Sequence, residues 1–211
     1  MYKSKKDQAM IELGTPLIKG GWCHIYTIKN EPLKCAKVLA PLRRFRENYP
    51  DPNELVRTKY GIDDFLEYEW NNYQKIMRHC PQELHAYFVN IHGVMPTTCG
   101  QQALVMDMVI DDLGQPAPNL VHNTRPLSST FLNILETIRT QVFVAHAIDH
   151  FGIVRRNILV KSPDHPVIID FQMGRERFRG QFWLRFPWFV RQKINRSFRK
   201  LYQELHLTHS N

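Results

Sequence analysis

The chain has 211 residues, 43% hydrophobic and 23% charged, with ten histidines and a net charge of +8. That is a globular composition, long enough for one domain or two small lobes. No apolar run approaches the roughly 20 residues of a spanning helix, and the longest, "ALVMDMVI", is broken by Asp107.

The N-terminal "MYKSKKDQAMIELG" is basic with no apolar segment behind it, so no secretory signal and a cytoplasmic location are expected. Cys23, Cys35, Cys80 and Cys99 form no C-x-x-C pair, so reduced and mostly buried thiols are expected. In chain order, "IELGTPLIKGGWCHIYTIKN" and "PLKCAKVLA" read as two or three antiparallel strands around a Gly-Gly and an Asn-Glu-Pro break. The Pro-punctuated "PLRRFRENYPDPNELVRTKYG" reads as a loop or short-helix insertion. In "DDFLEYEWNNYQKIMRH", Phe65, Leu66, Glu69, Tyr73 and Ile76 recur at helical spacing behind Asp63 and Asp64, which suit a helix N-terminus. Two strands follow, "AYFVNIHGVMP" and "QQALVMDMVI", separated by "TTCG".

Residues 1–112 thus form a small β-rich lobe with one helix, and 113–127, opening within "DDLGQPAPNL" with its one glycine and two prolines, form a connector. Residues 128–211 form a mainly helical lobe. Phe131, Leu135, Ile138, Val142, Ala145 and Ile148 place a long core helix over "SSTFLNILETIRTQVFVAHAIDHFG", with Gly152 as its stop. A hairpin follows, "IVRRNILV" and "HPVIIDF" around "KSPD". The tail interleaves Arg175, Arg177, Arg179, Arg185, Arg191, Lys193, Arg196, Arg199 and Lys200 with Phe178, Phe182, Trp183, Phe186, Trp188, Phe189 and Phe198. Terminal helices with buried rings and solvated cations are the plain reading; the mixture also suits an anionic membrane surface, phosphorylated ligands or an anionic partner, nucleic acid being less favoured.

This α+β order is that of a protein kinase-like fold, so the residues can be set against phosphoryl transfer. Gly20 and Gly21 lie in a strand-turn-strand setting without the full kinase glycine spacing. Lys37 in "CAKVL" sits mid-strand among apolar neighbours, where a buried partner is expected, with Glu69 the candidate and Glu67 the alternative. Asn157 in "RRNILV" and Asp170 in "VIIDFQ" stand at the two metal-ligand positions, and Arg155 and Arg156 suit a phosphate. His146 and His150 are four apart on a helix, but Ala147 stands where a zinc protease has its glutamate.

The glycine turn with "CAKVL", the "EWNNYQKI" helix, "NIHGVMPTTCGQQALVMDMVIDDLGQPAPNL", "NILV" and "DFQMG" with its Trp- and Arg-rich tail resemble the PhoP regulatory network protein YrbL family, related to protein kinases, over most of the chain. The resemblance implies a two-lobed kinase-like fold with ATP and Mg2+ in the cleft between lobes, in a cytoplasmic bacterial protein acting in regulation or through partners. The departure lies in the catalytic loop, H-R-D-x-x-x-x-N. Counting back from Asn157 puts His150 at its His and Gly152 at its Asp; reading "RRN" as a shortened loop keeps Gly152 as the helix stop. Either way the Asp is missing. Asp149 is the one nearby carboxylate, and Gln172 replaces the glycine after Asp-Phe. Nucleotide binding without efficient transfer is expected; an atypical small-molecule or lipid-headgroup kinase, or a basic interaction module, are the alternatives.

Overall fold

The protein is α+β. The computed structural model describes residues 10–40, 51–149, 153–171 and 186–208. They group into two units, Met1–Asn71 with Asn90–Met108, and Asn72–Val89 with Val109–Asn211.

In the first unit, β1 (Leu13–Lys19), β2 (Cys23–Ile28), β3 (Glu31–Leu39), β4 (Ile91–Pro96) and β5 (Gln102–Asp107) form one antiparallel sheet in the order β1-β2-β3-β5-β4. Turn chemistry sets its hairpins. Asn30, at φ 63°, takes the left-handed corner between β2 and β3, a conformation that Asn tolerates better than most residues. At the β4–β5 turn, Thr97 Oγ1 accepts from the Gln101 N–H (3.0 Å) and donates to the Gln101 carbonyl (2.9 Å), while Gly100 supplies φ 81°. Alternation sends Ala36 and Val38 to one face, into a cluster with Ile11, Ile28, Ala103 and Val105.

Before β4 the chain forms two helices, where the sequence pattern gave one and left the other as a loop or short-helix insertion. α1 (Pro52–Tyr60) starts with Asp51 accepting from the Asn53 N–H (2.9 Å) and stops at Gly61 with φ 67°. α2 (Phe65–His79) is capped by Asp64, whose carboxylate accepts from the N–H groups of Leu66 (2.6 Å) and Glu67 (3.1 Å); Asp63 instead pairs with Arg57. The strand expected to begin at Ala86 begins at Ile91. Gln82–Tyr87 is a 3-10 turn, and Phe88 makes an isolated parallel bridge with Ile168.

In the second unit, α3 (Ser129–Ile138) is capped by Ser128, whose Oγ accepts from the Phe131 N–H (3.2 Å). The single long helix expected through Ile148 is not what forms. At Arg139–Val144 the backbone widens into a π-helix, with the Ala145 N–H reaching the Thr140 carbonyl (3.1 Å). The wider turn shifts the apolar phase, so Phe143 joins Val142 in the core and Ala145 is exposed, while Ile148 is buried as expected. The expected stop at Gly152 lies outside the described residues. The hairpin is β6 (Ile158–Ser162) with β7 (His165–Ile168). The tail forms α4 (Pro187–Thr208), which buries Val190, Ile194, Phe198, Leu201 and Leu205. Phe143 is the shared ring of this core, 6.2 Å from Phe198 and 6.4 Å from Phe88.

Leu135, fully buried in α3, and Leu33, 69% exposed on β3, separate core from surface. Leu135→Ala is expected to cost about 2–5 kcal/mol in urea unfolding, and Leu33→Ala to stay within about 0.5 kcal/mol of the parent.

Candidate functional site

In the first unit, Lys37 lies in the middle of the sheet, paired in register with Ile25 on β2 and Leu104 on β5. Its neighbours Ala36 and Val38 take the apolar cluster, so alternation turns its side chain to the opposite face, which meets α2. There Lys37 Nζ donates to both carboxylate oxygens of Glu69, at 2.8 and 2.7 Å. Both are buried, Lys37 at 7% and Glu69 at 1% exposure. Glu67, the other candidate partner, is exposed. Helical phase decides between them, since Phe65, Leu66, Tyr73 and Ile76 bury the stripe that carries Glu69.

Two charges at this depth lose several kcal/mol of hydration each, and mutual attraction with two short hydrogen bonds offsets the loss. Gly20 and Gly21 form the β1–β2 turn. A Cβ on Gly20 would sit 2.6 Å from the Cys23 carbonyl oxygen, so the turn is too tight there for a side chain, whereas Gly21 faces open space. Trp22 follows, with its ring edge-on to Phe65 at 5.7 Å.

In the second unit, Asn157 and Asp170 come together. Arg155–Asn157 form a single 3-10 turn leading into β6, and the Asn157 side chain is 9% exposed. Its Nδ2 donates to Asp170 Oδ2 at 3.2 Å. Asp170 stands two residues past β7 in the left-handed region, at φ 65°. Its flanks are pinned: the Ile169 N–H donates to the Asn157 carbonyl (3.0 Å), and Phe171 is fully buried. A non-glycine residue held in this region is strained, and such strain persists only where the surroundings enforce it. The pair presents one amide and one carboxylate, hard oxygen donors of the kind magnesium takes from protein before completing its shell with phosphate and water. Among the described residues there is no cluster of three or more His, Cys, Asp and Glu side chains that could hold a metal on its own.

The remaining candidates separate. Arg155 is half-buried and donates to the Leu120 carbonyl at 2.9 Å, which ties it to the connector; Arg156 is exposed. Asp149 is 3% exposed and accepts from Lys193 Nζ at 3.0 Å. The sequence carried no signal for that pair, because 44 residues separate its members and Lys193 sits among other basic residues. Arg191, also on α4, donates to the Val144 carbonyl (3.0 Å), which also accepts from the Ala147 N–H (3.3 Å) where the π-helix ends. His146 is exposed and stacks on His79, with ring centroids 4.6 Å apart; His150, Gly152 and Gln172 lie outside the described residues.

The cysteines are free thiols. Cys23, Cys35 and Cys80 are buried and Cys99 is exposed. Burial, with Asp107 near Cys35 and Glu83 near Cys80, pushes these thiols up to about 12 and about 11. Hydrogen bonding with the Thr97 hydroxyl holds Cys99 below the usual thiol value.

Three outcomes are expected. Glu69→Gln leaves an uncompensated lysine in the sheet and is expected to cost about 3–5 kcal/mol in urea unfolding. Lys37→Met/Glu69→Leu, which removes both charges, is expected to recover most of that loss. Iodoacetamide at neutral pH is expected to alkylate Cys99 well before Cys35 or Cys80, as read by peptide mass mapping. In comparisons with protein-family models and with curated proteins, the chain matches none.

Proposed function

We propose that the protein is a kinase-like nucleotide-binding protein of the YrbL type, acting in the cytoplasm through conformation or partner binding. The buried Lys37–Glu69 pair carries the reading. A buried ion pair contributes little net stability compared with apolar residues of the same size, so its presence in the middle of a sheet favours a role other than holding the fold. In phosphoryl transfer such a lysine, held by a glutamate, takes nucleotide phosphate. A small-residue turn joins the first two strands, as the phosphate-covering turn of a kinase does.

Asn157 and Asp170 would hold Mg2+, which on binding neutralises phosphate charge. Their proximity and the enforced backbone at Asp170 support this assignment. Binding is favoured over transfer by the state of Asp149. Its carboxylate is buried against Lys193, and a general base must reach the proton it removes.

Thermal unfolding with ATP and Mg2+ tests the reading, because a ligand of the folded state raises its midpoint; at one hundred times the dissociation constant the gain is about 2.7 kcal/mol. The parent is expected to shift by several degrees only when Mg2+ is present. Lys37→Met and Asp170→Asn, each compared with its own ligand-free midpoint, are expected to lose the shift. An unshifted parent, or a full shift in both variants, would refute the assignment.

A further inference from the structure

α4 has two faces, and the second unit uses one. Val190, Ile194, Phe198, Leu201 and Leu205 recur at four- and three-residue steps and are buried. Three rings are left in solvent where the helix begins: Phe186, the residue before it, at 55%, and Trp188 and Phe189 in its first turn at 58% and 38% exposure. They pack on one another, Phe189 lying 4.7 Å from Trp188 and 6.4 Å from Phe186, both edge-on. Large aromatics gathered in water are a costly surface for a protein to keep, and such patches mark contact sites.

Two and three turns further along, the outward side carries Arg196, Arg199 and Lys200, all exposed. Glu204 is the single acidic residue of the helix, and it lies 3.9 Å from Lys200. Lys193 is paired with Asp149 and Arg191 is tied to the Val144 carbonyl, so both anchor the helix to the rest of its unit.

We propose that the outward side of α4 docks on an anionic lipid bilayer, with Phe186, Trp188 and Phe189 entering the headgroup region and Arg196, Arg199 and Lys200 facing the lipid phosphates. The argument does not depend on the nucleotide reading. Charge complementarity selects the occupant: rings that favour the membrane interface stand beside cations with a nearly unopposed positive field. A single-stranded nucleic acid is a poorer match, because its site interleaves rings and cations along the strand, whereas here the rings are confined to one end. No described helix is long and apolar enough to cross a membrane.

Vesicle flotation of the whole chain decides it. The parent is expected to float with phosphatidylcholine vesicles containing about one third phosphatidylserine and not with phosphatidylcholine alone, and high salt is expected to release it. Arg196→Gln/Arg199→Gln/Lys200→Gln and, separately, Trp188→Ala/Phe189→Ala are each expected to cut the bound fraction about tenfold. Arg196→Lys/Arg199→Lys, which keeps the charge at both sites, is expected to float like the parent and so excludes a general effect of altering the helix. Equal flotation with neutral vesicles, no flotation of the parent, or a glutamine or alanine variant that floats unchanged would overturn the proposal. So would a parent that ignores vesicles and is retained by single-stranded RNA or by a protein.

Discussion

A lysine in the middle of an antiparallel sheet is tolerable only if something meets its charge, and Glu69 meets it with two hydrogen bonds. That requirement fixes more than one contact. Rotating α2 by one residue would carry Glu69 about 100° away and bring Tyr68 or Trp70 toward the ammonium group, leaving the charge buried and unanswered. The helix is therefore held in phase by an ion pair as well as by its apolar stripe, and Asp64 fixes where it starts. The β2–β3 and β3–β5 registers have the same dependence. A one-residue slip of β3 would send Lys37 into the cluster of Ile11, Ile28 and Val105.

Features with a local cause could be read from the sequence. The strands of the first unit apart from the start of β4, the acidic start of α2, the β6–β7 hairpin and the choice of Glu69 as lysine partner all follow from spacing and turn chemistry. So does the pairing of Asn157 with Asp170, two residues that flank one hairpin. Other features have causes elsewhere in the chain. The π-helix replaces regular helix where Phe143 is drawn into a core shared with Phe88 and Phe198, and no propensity of "RTQVFV" announces it. The Asp149–Lys193 pair is likewise tertiary, as is the tie between Arg155 and the Leu120 carbonyl.

The tail shows how composition misleads when its residues are averaged. A run of aromatic and basic residues suggests buried rings and solvated cations, and for Phe198, Arg196, Arg199 and Lys200 that holds. Lys193 instead turns inward to a carboxylate and Arg191, though exposed, is tied to a backbone carbonyl, while Phe186, Trp188 and Phe189 are left outside. Helical phase sorts the two groups more sharply than residue type does.

The buried side of α4 also bears on the order in which the molecule becomes stable during synthesis. The sheet of the first unit has all its strands once residue 107 has left the ribosome. The second unit draws Phe88 from before that sheet is complete and Phe198, Leu201 and Leu205 from about a hundred residues later. Until those late side chains arrive, Phe143 and its neighbours lack part of their cover, so nascent chains stalled short of α4 should be the ones that chaperones hold and proteases cut.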